Sequence, residues 1–413
     1  MRILHFQNIP LSIDEIRSGG QEMNTSGGWM AAILGRMLKE TDFKFACAAF
    51  GGTKTVQISR DDRIDCFIIP KGKHDSGSPL ERSLRMCRDL VNEWKPDLIH
   101  INGTEGPYGL LTARGLVKCP TVISLQGLLG PCSEWYHYFG NRSLSDVIRM
   151  HRWLEIPAMR GHCWAYWNIR KRAKREREII RGNRFFMGRT AWDCAYLRAI
   201  NPSAAYYQEE RMLREAFWYK RWCLDESRRH RIIFTNVGHP RKGTEILLDA
   251  VKLLKHDYPG IQAAFAGTIS RRSGYGRYIR RRIDELGDAT IELGPLNAGQ
   301  MADELAKSHI FVSPSYIDNS PNAVCEAQLV GMPVVSTYTG GVPSLIEDGV
   351  TGLFFPTGDA PMLAARLREV FEDDGLAVRL GSQAQNVACK RHNSNSIVQQ
   401  VLKIYEDVLS ETV

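Results

Sequence analysis

Short apolar runs alternate along this chain with stretches of helical spacing. "RILHF", "FKFACAAF", "DCFIIP", "DLIHING", "PTVISLQG" and "NRFFMG" are separated by such stretches or by Gly and Pro, and each predicts a strand. The alternation itself is that of βαβ units, which implies a parallel sheet. It then starts again: "RIIFTNVG", "IQAAFAG", "ATIELGP", "HIFVSPS", "MPVVST" and "TGLFFP" form a second series between residues 231 and 356. Helical patterns such as "GTEILLDAVKLLKHDY" (243–258) lie between them. The closing "NSNSIVQQVLKIYEDVLSET" opens on Asn and Ser, good N-cap residues, and continues with apolar residues at helical spacing. The fold class expected is therefore α/β, with two successive open units joined near "YKRWCLDESRRH" (219–230) and a C-terminal helix.

Length and composition agree with that division. A chain of 413 residues exceeds one ordinary core and most simply makes two domains. With 43% hydrophobic and 24% charged residues it is globular in composition, and no apolar run reaches the ~18 residues of a spanning helix. The N-terminus begins with a strand pattern and not an export signal, so a cytoplasmic location is expected. The ten cysteines show no C-x-x-C pair and no His/Cys spacing typical of zinc, which predicts neither metal nor disulfides.

The net charge of +8 is concentrated in "RKRAKRERE" (170–178) and "RRSGYGRYIRRR" (271–282). Such clusters attract phosphates, anionic lipid or nucleic acid, although a solvated helix face explains them equally simply. Four tryptophans, Trp135, Trp153, Trp164 and Trp167, precede the first cluster. Aromatics beside basic residues suit a surface that meets lipid headgroups; core packing explains them as well.

Candidate chemistry lies mainly in the second half. "NVGHPRKGTEILLDA" (236–250) is a strand end leading to a basic pair, a glycine and a helix start. Arg241 and Lys242 supply fixed cations, and Gly238 and Gly243 allow close backbone approach; a diphosphate needs both, and a helix N-terminus adds N–H groups and a favourable dipole. Further on, Asp318 and Glu326 are separated by seven residues, with Asn322 and Ala323 between them. Glu326 is expected to begin a helix. "GGVPSLI" follows the strand "MPVVST", and its Gly340 and Gly341 suit a tight turn.

This order of motifs, with "EAQLVGMPVVS", "EDGVTGLFF" and "PTGD", resembles the donor domain of retaining glycosyltransferases of family 4. The likeness is strong over about 231–360 and looser before residue 225. It implies the GT-B fold, two Rossmann-like domains facing across a cleft: an acceptor domain at 1–225, a nucleotide-sugar domain at 226–395, and a helix at 396–413 that packs back towards the first domain. It implies a hexosyl transfer with retention from a nucleotide sugar, most simply a UDP- or GDP-sugar, to a glycan or lipid-linked acceptor in bacterial surface polysaccharide synthesis. By the same resemblance Glu326 holds the ribose, Asp318 contacts the donor sugar, and Arg241 and Lys242 neutralise the leaving diphosphate. No metal or other cofactor is expected, and no Asp-x-Asp stands at a strand end. Nucleic acid is not an expected partner; peripheral contact with the inner membrane surface is.

In the first half, Gly27 and Gly28 of "SGG" precede a helical pattern and can face phosphates. His100 and Gln126 close two apolar strands, where ligands of open α/β sheets bind. "GRTAWDCAYLRAINP" (188–202) resembles a segment of a bacterial subset of the family, which makes Arg189, Thr190, Trp192 and Asp193 acceptor-side candidates. A helix cap over a buried Trp explains the same residues. Two other classes remain: a nucleotide-sugar epimerase of the same architecture, and a non-catalytic protein that binds anions or nucleic acid. A Rossmann oxidoreductase is disfavoured, because no G-x-G-x-x-G follows the first strand.

Overall fold

The computed structural model describes residues 1–20, 27–71, 78–150 and 161–412. By contact the chain forms two compact units: Met1–Gly130, Arg172–Arg214 and His392–Val413 in one, Pro131–Lys171 and Glu215–Arg391 in the other.

The strands of the first unit are β1 (Arg2–Phe6), β2 (Lys44–Gly51), β3 (Gln57–Arg60), β4 (Ile64–Pro70), β5 (Leu98–Asn102), β6 (Thr121–Ser124), β7 (Phe185–Gly188) and β8 (Ala205–Gln208). Among the described residues they form one sheet in the order β3-β4-β2-β1-β5-β6-β7-β8. Only β3, at the edge, runs antiparallel. Apolar residues fill both faces, as a parallel sheet covered on both sides requires. Ile3 and Phe45 join the cluster on one face, and their neighbours Leu4 and Ala46 join the other. The C-terminal helix, Ser394–Ser410, packs in the first of these clusters through Ile397, Val401, Ile404 and Tyr405. Asn393 caps it, its side chain accepting from the Ser396 amide at 3.1 Å.

The second unit contains β9 (Arg228–Thr235), β10 (Gln262–Ala266), β11 (Thr290–Gly294), β12 (Ser308–Ser313), β13 (Val334–Thr337) and β14 (Leu353–Phe355). All are parallel, in the order β11-β10-β9-β12-β13-β14. β9, β12 and β13 are thus consecutive in the sheet, so the loops that leave their carboxyl ends emerge side by side. That is where ligands of open α/β sheets bind.

All twelve expected strands form. The structure departs from the expected boundaries in two places. Residues 131–171, expected with the first domain, cluster with the second unit: Tyr138, Phe139 and Val147 build a small core there, and the Tyr136 hydroxyl donates to the Thr357 carbonyl at 2.9 Å. Residues from Glu215 also belong to the second unit, where the Trp222 amide donates to the Val330 carbonyl at 2.9 Å and its indole N–H to the Ser308 carbonyl at 2.8 Å. Among the described residues no helix is long and apolar enough to cross a membrane.

Candidate functional site

The loop after β9 makes a single 3-10 turn, Pro240–Lys242, before the Thr244–Leu254 helix. Lys242 therefore precedes the helix start instead of forming it. Gly243 connects the two at φ +70°, and a Cβ there would lie 2.0 Å from the Pro314 carbonyl oxygen of the loop after β12. Only glycine lets these two loops meet so closely. The contact brings Lys242 to Asp318, and their ammonium and carboxylate form an ion pair. Ser315 Oγ lies 3.4 Å from the same carboxylate oxygen. Burial acts to raise the Asp318 pKa, but Lys242 and then Arg241 outweigh it and hold the carboxyl below its ordinary range.

The loop after β13 supports Asp318 from beneath. The Gly341 amide donates to the Asp318 carbonyl at 3.0 Å. Gly340 has φ +52°, and a Cβ there would lie 2.1 Å from that carbonyl oxygen. Hydroxyls tie the two loops together: Ser336 donates to the Ser313 carbonyl, Thr337 to Ser315 at 2.7 Å and Thr339 to Tyr316 at 3.0 Å. The short span of glycines, hydroxyls and acids is thus one folded clamp, in which the Gly340–Gly341 turn lies against the Asp318 carbonyl.

Asn322 and Ala323 open the Asn322–Val330 helix, with Pro321 as N-cap. Their N–H groups lie in the first turn, where a helix has no partners of its own to offer. Glu326, expected to begin this helix, lies a full turn inside it and is 7% exposed. The helix starts a turn earlier, directly after Pro321.

The Arg241 guanidinium is partly buried, with one NH group 3.2 Å from the Cys132 sulfur, while its carbonyl accepts from the Tyr316 amide at 2.8 Å. Burial opposes its charge, and Cys132 and Asp318 more than compensate. His239 caps the 3-10 turn, Nδ1 accepting from the Arg241 amide at 3.1 Å, and its ring meets Tyr138 edge-on at 5.4 Å. Burial first, then the cations Arg241 and Lys242, push the His239 pKa down to about 3, so the ring is neutral. Gly238 sits close to the next strand's loop: a Cβ there would lie 2.5 Å from the Thr268 carbonyl oxygen.

In the first unit the candidates separate. Gly27 and Gly28 do open a helix, Gly28–Glu40, and are buried. Ser26 of the same motif lies outside the described residues, as does Trp153. His100 is not at an open strand end: it is 4% exposed, with Nδ1 2.7 Å from the Tyr405 hydroxyl and Nε2 2.7 Å from Ser124 Oγ. Burial pushes its pKa down to about 3. Thr190 and Asp193 form a reciprocal cap on the Ala191–Ile200 helix, and Asp193 also accepts from the Arg189 amide at 3.1 Å and the Tyr206 hydroxyl at 2.7 Å. The capping explanation is the one the geometry supports, and Trp192 packs against the core. Arg189 is buried and donates to the Leu125 carbonyl at 2.6 Å, joining the ends of β6 and β7; the Gln126 carbonyl is 3.5 Å away.

Sequence reading missed the acids that hold the first unit's loops. Glu176 is 1% exposed although it lies inside the basic run, and it accepts from the Leu129 amide at 3.0 Å and the Gly130 amide at 2.8 Å. Arg172 and Arg175 of that run donate to the Glu105 carbonyl at 3.1 and 2.6 Å. The signal was the period: positions 172, 175, 176, 179 and 180 share one helix face, and Ile179 and Ile180 make it the inward one.

Residues 224–387 match the family model of glycosyl transferases group 1. The D-inositol 3-phosphate glycosyltransferase of Acidothermus cellulolyticus is 26% identical over 187 residues, 44% of this chain and 41% of that protein. The match thus spans well under half the length of that curated relative. Among solved structures, sucrose-phosphate synthase from Thermosynechococcus elongatus superposes with a TM-score of 0.73 at 17% identity, covering 99% of each chain. Anabaena HepE in complex with UDP-glucose gives 0.64 at 16% identity, covering 98% of this chain and 100% of that one. The fold is GT-B: two parallel-sheet α/β domains.

Proposed function

We propose that this chain is a retaining glycosyltransferase of family 4, moving a hexosyl group from a UDP- or GDP-sugar to a glycan or lipid-linked acceptor in bacterial surface polysaccharide synthesis. The observation that carries the reading is the meeting of Lys242 and Asp318 on adjacent loops beside the Asn322–Val330 helix start. A cation, a carboxylate and helix N–H groups at the carboxyl edge of a parallel sheet are what a sugar diphosphate requires. That Anabaena HepE was solved with UDP-glucose supports the donor class.

In this reading Lys242 neutralises the departing diphosphate, with Arg241 adding positive charge from beneath and the first-turn N–H groups of Asn322 and Ala323 beside them. Asp318 contacts the donor sugar and Glu326 the ribose. Gly238, Gly243, Gly340 and Gly341 shape the loops. The acceptor hydroxyl attacks the anomeric carbon on the face that the diphosphate leaves; the carbon–oxygen bond to phosphate breaks, and the hydroxyl proton passes to the departing phosphate oxygen. Gln126 and Arg189, at the ends of β6 and β7, are the acceptor-side residues in this reading; Thr190 and Asp193 cap the helix that follows, and His100 is held in the core.

A peripheral site at the cytoplasmic membrane face suits a lipid-linked acceptor. Leu144 and Ile148 are 58% and 47% exposed, Trp164 and Trp167 43% and 53%. The Lys171 ammonium lies 3.4 Å from the Trp167 ring centroid, an aromatic and cationic pairing suited to headgroups.

A thermal-shift panel of nucleotide sugars, followed by NMR of the product's anomeric centre, tests the proposal. One nucleotide sugar should raise the melting temperature and give a product with the donor's anomeric configuration. No shift with any donor, or an inverted product, overturns it; an epimer formed from donor alone assigns the chain to the epimerases.

A further inference from the structure

The second basic run, "RRSGYGRYIRRR", is not used by the transfer reaction. Its helix, Gly274–Leu286, walls a cavity of about 710 Å³ whose lining includes none of Lys242, Asp318, Glu326 or Gly340. Opposite it lie Asn141 and Arg142, which belong to the same compact unit.

Two of the three acids in this cavity are paired with arginines, and the third is held by a serine. Glu245 ion-pairs with Arg142 at 2.5 Å and accepts from the Tyr275 hydroxyl at 2.8 Å and the Tyr316 hydroxyl at 3.1 Å. Asp249 ion-pairs with Arg282. Asp146 accepts from the Ser143 amide at 3.2 Å and its hydroxyl at 2.6 Å. Four arginines, Arg142, Arg277, Arg281 and Arg282, face three acids in this lining, and Arg277 and Arg281 also line the adjoining hollow with Arg271, Arg280 and Asp284. Arg271 and Arg281 make no ion pair among the described residues. Arg142, nine-tenths buried, is held by Glu245, by the Phe139 carbonyl, to which it donates at 2.6 Å, and over the Tyr275 and Tyr278 rings. An arginine without an acid partner offers charge-assisted hydrogen bonds to an anion, and Arg281 is such a residue.

Size and walls narrow the ligand. The volume far exceeds that of an isolated phosphate and falls within the usual range of small-molecule sites. The Tyr278 and Tyr316 side chains and Asn141 offer aromatic and amide surfaces fit for a hydroxylated body. We infer that this cavity is a second anion site, separate from the diphosphate site, which binds a phosphomonoester carried on a sugar-sized molecule.

Isothermal titration of the full chain with glucose 6-phosphate, inorganic phosphate and glucose tests this. Glucose 6-phosphate should bind, inorganic phosphate more weakly, and glucose not measurably. Arg277→Gln/Arg281→Gln should weaken glucose 6-phosphate binding tenfold or more, as expected when charge-assisted hydrogen bonds are lost, and leave nucleotide diphosphate binding unchanged. These side chains point outward from a helix, and the single variant Arg281→Gln, at an exposed position, repeats the test with minimal risk to the fold. Lys242→Ala should do the opposite, sparing glucose 6-phosphate. The inference is overturned if glucose 6-phosphate does not bind, if inorganic phosphate binds equally well, or if binding is lost in Lys242→Ala and kept in the arginine variants.

Discussion

Lys242 and Asp318 form an ion pair in which the two side chains are only 15% and 17% exposed. Each stands on a loop after a different strand, so the pair fixes one loop against the other. At this depth a lone charge is poorly solvated, and removing one partner harms the other.

A double-mutant cycle measures that coupling. Lys242→Ala and Asp318→Asn should each destabilise the protein by about 1–3 kcal/mol, less than for a fully buried pair because some solvent reaches both groups. The double variant should lose less than the sum, since neither charge is then left alone. Lys242→Ala should in addition weaken nucleotide-diphosphate binding tenfold or more, the loss of a charge-assisted hydrogen bond. Additive stabilities with unchanged nucleotide affinity would remove the pair from both roles.

The turn beneath Asp318 makes a second test. Gly340 combines φ +52° with a Cβ position 2.1 Å from a carbonyl oxygen, so Gly340→Ala must displace the Asp318 backbone. A loss of about 2–4 kcal/mol is expected, strain and clash together. Donor affinity should fall with it. Gly260→Ala, in the same unit and with open space around its Cβ position, is the control and should change the urea midpoint little. Equal midpoints for the two variants would show that the clamp relaxes freely.

Stability should also depend on pH in a direction set by buried neutral histidines. Burial holds His100 and His239 down to about 3 and His309 to about 4, all below the ordinary histidine value. Because the folded pKa is the lower one, the unfolded chain binds more protons below about pH 6.5, and stability is lost as pH falls through that window. Each such histidine contributes about 1.4 kcal/mol per pH unit. His100→Gln, which can still bridge Tyr405 and Ser124, should flatten the dependence of urea stability by that amount between about pH 6 and 4.5. An unchanged slope would mean that His100 titrates normally.

The fold was legible because both sheets are built mainly from short apolar runs bounded by Gly, Pro or helical patterns. The two strands not foreseen are edge strands: β3 is exposed at all four positions and carries no apolar run, and β8, "AYYQ", is only partly buried. Lys242, Gly243, Asp318 and Gly340 were legible as a set, and the structure brings them together because β9, β12 and β13 are neighbours. What sequence could not supply was depth. Arg241 and His100 are polar residues at strand ends, but one lies under Cys132 and the other under the C-terminal helix, and both coverings come from distant parts of the chain. Thr190 and Asp193 have the spacing of a capping box, and that local hydrogen bonding took precedence over an outward role. Arg142 gave no signal, since its partner Glu245 is a hundred residues away.

Removal of metal is a third kind of test. No group of three or more His, Cys, Asp or Glu among the described residues is arranged to hold an ion. If Lys242 and Arg241 supply the positive charge at the diphosphate, EDTA should leave the transfer rate nearly unchanged. Complete loss, restored by magnesium or manganese, would show that a cation shares that task.

The division of labour between Asp318 and Glu326 gives the last prediction. Glu326 lies inside its helix, behind the Asn322 and Ala323 turn, whereas Asp318 stands on the loop after β12, ion-paired with Lys242. A ribose is present in both a nucleoside diphosphate and a nucleotide sugar, so Glu326→Gln should weaken the two alike. Asp318→Asn should weaken the nucleotide sugar more than the free nucleotide, and slow turnover, because only the former carries the sugar. Each carboxylate hydrogen bond lost is worth roughly 1.5–3 kcal/mol, about tenfold or more in affinity. Asp318→Asn also releases Lys242 from its ion pair, which by itself should favour any diphosphate. Free nucleotide affinity is therefore expected to hold or rise in Asp318→Asn while that of the nucleotide sugar falls, and calorimetric titration of both variants with both ligands reads this crossing directly. Identical ligand profiles for the two variants would assign both acids to loop and helix structure alone.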